Sequence, residues 1–127
     1  MKPNDFIRMC EDAIEKVCLQ GVASVGDNGG CAYLSKLGCC VVGHMMPDNE
    51  TRKKADSLKD SGVQNVIQEG VWGEGMFTRQ QEDILLSLQL VHDSFEDCLS
   101  ERPSKIDVEY FEERCLTILS QYSESLQ

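Results

Sequence analysis

The chain has 127 residues, 41% of them hydrophobic and 27% charged, and a formal net charge of −10. That length suits one domain spanning residues 1–127 with a core of its own, and the composition excludes a disordered or collagen-like chain. No apolar run reaches the roughly 20 residues of a membrane span, and the acid-bearing N-terminus is no secretory signal, so a cytoplasmic protein is expected.

The charge is unevenly spread. Residues 1–64 hold 9 acids and 8 Lys or Arg, whereas residues 65–127 hold 13 acids and 4 Lys or Arg. Such a surface repels phosphate backbones, which argues against direct nucleic-acid binding. It suits either a solvated helix face or a basic partner surface. Seven cysteines in a cytoplasmic chain are expected as free thiols.

In chain order, "NDFIRMCEDAIEKVCLQG" predicts a first helix, with Asn4 as cap and Gly21 as its left-handed stop. Cys10 and Cys18 fall on its apolar stripe. "VASVGDNGG" is a turn without the Gly-Lys-Ser/Thr of a phosphate-binding loop. "CAYL" and "CCVV", separated by "SKLG", predict a small β-hairpin turning at Lys36-Leu37. Asp48 predicts the cap of a polar second helix that buries only Ala55 and Leu58. "VQNVIQEG" adds a short helical turn, and "VWGEGM" is loop. Thr78 and Gln81 form a capping box for a third helix, from about Arg79 to Ser100, with the stripe Ile84, Leu85, Leu88, Val91, Phe95, Cys98 and Leu99. Asp107 caps the last helix, which would bury Val108, Phe111, Cys115, Ile118 and Tyr122. The predicted fold is α+β and mostly helical: about four helices and one hairpin, the last two helices antiparallel.

The stretch from Cys31 to Glu50 holds the densest chemistry. Strand alternation would place Cys31, Tyr33, Cys40 and Val42 on one hairpin face and Ala32, Leu34, Cys39 and Val41 on the other. Three readings stay open. Cys31, Cys40 and His44 with a fourth group could bind zinc, although their C-x8-C-x3-H spacing lacks the short C-x2-C of zinc motifs. A cysteine could act as a nucleophile with His44 or His92, although no nucleophile signature surrounds one. The thiols could simply pack as small hydrophobes, which is the favoured reading. His92 and Asp93 invite a metal-phosphohydrolase reading, but two histidines in all are too few. His92 reads instead as a half-buried histidine with a satisfied ring. Trp72, the one tryptophan, folds over the core or serves as an exposed partner anchor.

Residues Gln20, Gly21, Ser24, Cys31, Tyr33, Cys40, Gly43, His44, Pro47, Asp48, Gln89, His92 and Asp93 share a pattern. It resembles a group of small tailed-phage and prophage proteins with no assigned activity. The resemblance covers about residues 17–50 and 84–95. Leu34 stands where an arginine is expected, and Met45-Met46 replace branched aliphatics. What the resemblance implies is a phage setting, in which small acidic accessory proteins bind and block host machines.

The expected function is therefore a non-enzymatic accessory protein in the cytoplasm of an infected bacterium. It would take over or disarm a host protein with a basic surface, such as an antiviral defence component of CRISPR type. Its contacts would be Glu82, Asp83, Asp93, Glu96, Asp97, Glu109, Glu112, Glu113 and Trp72; a homo-oligomer is compatible with this. The alternative is a small molecule or zinc at Cys31, Tyr33, Cys40, His44 and His92.

Overall fold

The first helix begins two residues earlier than its asparagine cap suggested. In the computed structural model, which describes residues 1–25, 32–95 and 105–127, α1 spans Pro3–Gln20. Pro3 takes the first turn, where its missing N–H costs nothing, and Asn4 lies inside the helix. Gly21 closes α1 at φ 74°, and its amide donates to the Val17 carbonyl. Phe6, Cys10, Ala13, Ile14 and Val17 form the buried stripe.

Five more helices follow: α2 (Val41–Met45), α3 (Asn49–Ser57), α4 (Val63–Gln68), α5 (Arg79–Asp93) and α6 (Val108–Ser125). Three are capped as the sequence predicts. Asp48 accepts from the Thr51 amide at 2.8 Å, and Asp107 from the Tyr110 amide at 3.1 Å. Thr78 and Gln81 form the reciprocal capping box of α5.

The core is a trio of long helices. Gln80 Nε2 of α5 donates to Ser125 Oγ of α6 at 2.9 Å, while Phe95, just past the end of α5, stacks edge-on against Tyr110 and Phe111 at the start of α6. These helices are therefore antiparallel. α1 also runs against α6: Phe6 meets Tyr122 at 5.3 Å between ring centroids, and Cys18 near the other end donates to Glu112. The amino group of Met1 donates to the Met76 carbonyl, and Gln81 Nε2 donates to the Met1 carbonyl at 2.8 Å.

The β-hairpin is a correction. Among the described residues there is no β-strand, only two isolated bridges, Val22 with Lys105 and Ser35 with Gly38. Among the described residues the regular elements are all helical, six helices rather than four, with no sheet. The chain does turn at Lys36-Leu37, where Ser35 and Gly38 exchange both backbone bonds. The ladder stops there because side chains take its amides. Asp56 of α3 accepts from the Tyr33 amide at 2.8 Å and from the Leu34 amide at 3.1 Å. Gln20 Oε1 takes the Cys39 amide at 3.0 Å. A carboxylate and a carboxamide stand where a partner strand would.

The run "CCVV", expected as a strand, instead opens α2, and a short apolar run is ambiguous between the two. Helix wins because its first N–H groups find acceptors: Val42 N–H meets Gln89 Oε1 at 3.2 Å, and Gly43 N–H meets Cys40 Sγ at 3.3 Å. α2 packs against both α1 and α5, so Val41, Val42 and Gly43 are buried. A Cβ at Gly43 would lie 2.3 Å from the Tyr33 carbonyl oxygen, so only glycine allows this approach.

Candidate functional site

Gln20, Cys40, Gly43, His44 and Gln89, dispersed in sequence, meet at α2. Gln20 ends α1 and reaches across to the turn. Its Nε2 donates to the carbonyls of Val22 at 2.8 Å and Cys39 at 3.0 Å, and its Oε1 accepts from the Cys39 amide. The same oxygen faces His44 Nε2 at 3.0 Å. Because the backbone N–H of Cys39 fixes which end of the carboxamide is oxygen, Nε2 is the protonated nitrogen of His44. Burial, with Lys16 and Arg52 nearby, pushes the His44 pKa down to about 4. The ring is therefore neutral near pH 7.

His92 sits on the other side of α2 and is fully buried, not half-buried. The Ser24 amide donates to its Nε2 at 3.1 Å, so the ring proton lies on Nδ1 and is given to Asp93 Oδ1 at 3.0 Å. The Gln89 Nε2 donates to the same carboxylate oxygen at 2.8 Å. Ser24 Oγ bonds Ser35 Oγ at 2.9 Å and the Gly38 carbonyl at 3.2 Å. Ser24, His92 and Asp93 thus lie together without forming a nucleophilic triad. The nitrogen that would draw the proton from a serine hydroxyl is already occupied by a backbone N–H.

Of the alternative ligand cluster, the described members Cys40 and Tyr33 are each bonded to backbone groups. Cys40 is fully buried and spends its sulfur on the Gly43 amide. The Tyr33 hydroxyl donates to the Ser61 carbonyl at 2.6 Å. Cys31 lies outside the described residues. Among the described residues no group of three or more His, Cys, Asp and Glu side chains is placed to hold a metal ion. The other described thiols are poor nucleophiles: burial raises the pKa of Cys39 and Cys18 and pushes Cys10 and Cys115 up to about 12.

The acidic set divides. Asp83, Glu109, Glu112 and Glu113 are exposed on α5 and α6, and Glu82 is half-buried. None of them pairs with a lysine or arginine among the described residues. Asp93 is instead a structural acceptor for His92 and Gln89. Glu96 and Asp97 lie outside the described residues, as do Cys98 and Leu99. Trp72 is 8% exposed and tilts against Phe77 at 5.3 Å, so of its two readings it covers the core.

Sequence reasoning missed an apolar groove beside these acids. Ser87, Leu90, Val91 and Ser94 of the α5 side and Tyr110, Arg114 and Ile118 of α6 line a cleft of about 420 Å³. Leu90 is 59% exposed and Tyr110 51%, and both line the same cleft. Leu90 also borders a second cleft of about 270 Å³, shared with Tyr33, Val63, Leu86 and Asp93. The sequence carried one signal for it, since Leu90 falls off the apolar stripe of its helix.

No helix among the described residues is long and apolar enough to cross a membrane. Comparison with protein-family models, curated proteins and solved structures returned no significant match for this chain.

Proposed function

We propose that this protein works by binding: a phage accessory protein that engages and inhibits a basic host protein, a CRISPR-type antiviral component being the partner class, in the host cytoplasm. The observation that carries this reading is the row of exposed carboxylates at Asp83, Glu109, Glu112 and Glu113, unpaired with lysine or arginine among the described residues. Carboxylates kept in water and left without cations cost the fold little and attract a basic surface over a Debye length of about 8–10 Å. The histidines give no competing support for catalysis, because each described ring is tied into the protein by the nitrogen a reaction would need or by burial.

The test is capture of a partner from host lysate at low salt, followed by reversal of Glu109, Glu112 and Glu113 to lysine. Loss of capture on reversal, and on raising salt, is the expected result. Capture that ignores both would overturn the reading. The zinc or small-molecule alternative at Cys31, Tyr33, Cys40 and His44 has its own measurement: elemental analysis with native mass spectrometry on purified protein. A stoichiometric metal or adduct there would replace the binding proposal.

A further inference from the structure

We infer that the α5–α6 groove is the seat of one amphipathic helical segment of the partner, with apolar residues on its inner face and lysine or arginine along its flanks. The inference rests on the binding function proposed above and gives that function a place and a partner chemistry.

The argument starts from the two walls. On α5, Ser87, Leu90 and Ser94 follow one another at three- and four-residue steps and so share a face. On α6, Tyr110, Arg114 and Ile118 do the same. The floor between them is apolar, formed by Val91 and Ile118, both packed on the core. The two most exposed apolar side chains of the groove, Leu90 and Tyr110, stand on opposite walls. An incoming helix of about 10 Å diameter laid along the groove could touch both.

Charge then selects the occupant. Asp83 lies one turn before Ser87 on the same face of α5, and Glu113 lies one turn after Tyr110 on α6. Both are exposed. α5 carries three acids against one arginine, and α6 carries four against one. A second copy presenting its own α5 and α6 would bring like charge to the groove, and one presenting the cations of α3 is an outcome of the test. A basic amphipathic segment brings opposite charge and an apolar face to cover Leu90 and Tyr110. Arg114 is the one cation in the lining, and among the described residues no carboxylate neutralises it. It opposes a basic ligand locally, which gives the proposal a prediction of opposite sign to the acids.

The experiment uses the full chain and a synthetic amphipathic helix of leucine and lysine, with a glutamate-for-lysine version as its counterpart. Binding is followed by fluorescence anisotropy and amide chemical shifts. The expected result is binding of the lysine peptide, with shifts centred on Ser87, Leu90, Tyr110 and Ile118, and none of the glutamate peptide. Leu90→Ser with Tyr110→Ser weakens it by about tenfold or more. Asp83→Lys with Glu113→Lys weakens it several-fold, and Arg114→Glu tightens it. Thermal melts of these surface variants check that each remains folded.

Shifts centred instead on Glu109 and Glu112, with Leu90 and Tyr110 substitutions neutral, overturn the groove while leaving the acidic-surface function standing. A concentration-dependent dimer that blocks the groove assigns it to a second copy and also overturns the inference. Failure of every peptide to bind, together with lysate capture that ignores charge reversal, overturns both.

Discussion

The two sides of α5 treat polar groups in opposite ways. Toward α2, Gln89 and His92 are buried, and their hydrogen bonds run to Val42, Asp93 and Ser24. Away from it, Asp83 is exposed and Leu90 is left in water although apolar. One face spends polar chemistry on fixing the chain, because a buried donor without an acceptor costs about 1–3 kcal/mol. The other face leaves its charges unpaired, which a fold tolerates only where water or a partner meets them. The difference separates residues whose substitution should unfold the protein from those whose substitution should only change what it binds.

The sharpest break of this contrast is His92→Ala. It empties a fully buried site and strands the Ser24 amide and one hydrogen-bonding edge of Asp93. A loss of about 3–5 kcal/mol is expected in urea denaturation followed by circular dichroism. A loss below about 1 kcal/mol would show that the buried network is not what holds this face. Next comes Gly43→Ala, whose new methyl meets the Tyr33 carbonyl oxygen at 2.3 Å. Backbone cannot swing away as a side-chain tip can, so about 2–3 kcal/mol should be lost. Gly62→Ala, which meets only the Asp60 carboxylate at 3.2 Å, should change stability by less than about 1 kcal/mol.

His44 makes the contrast pH-dependent. Its pKa is about 4 in the fold against 6.5 for the free side chain. Between those values the unfolded chain holds more protons, so stability falls as pH drops from 6.5 to 4 and levels off below. The ring is partly exposed, and solvent screening reduces the effect to on the order of 1–2 kcal/mol. Chemical denaturation across that range should show a smaller slope for His44→Gln than for the native chain; equal slopes would remove His44 as the cause. The smallest effect belongs to the outer face. Glu109→Lys, Glu112→Lys and Glu113→Lys should each leave the melting free energy within about 0.5 kcal/mol. A larger destabilisation would mean that these acids serve the fold after all.

The long helices were legible because periodicity and caps agree. Thr78 with Gln81, Asp107 and Gly21 mark their ends, and the stripes of α1 and α6 are mostly apolar. The middle of the chain was not, and for a physical reason. Gln20, Asp56 and Gln89 look like ordinary solvent-facing polar residues of helices, yet each bonds backbone groups from a segment 19 or more residues away. No local pattern reports an acceptor supplied by another helix. The same blindness misplaced two edges. Leu88, Leu85 and Ile84 suggested a purely apolar stripe, whereas the buried face of α5 contains Gln81, Gln89 and His92. The predicted run to Ser100 stops at Asp93, where the Phe95 amide turns back to the His92 carbonyl at 3.1 Å. For the candidate site, the acids of α5 and α6 were readable from composition alone. The groove was not, because it needs two helices to exist.

The bond from the Ser24 amide to His92 has a consequence in time. Its two ends are 68 residues apart in the chain, so it forms only when the segment after α1 has closed onto α5. A contact of such span is closed late, after the local helices have formed. Its amide is also sealed at a fully buried serine, out of reach of solvent until that docking is undone. Slow hydrogen exchange is therefore expected at Ser24, requiring at least the release of its segment from α5 rather than the fraying of one helix end.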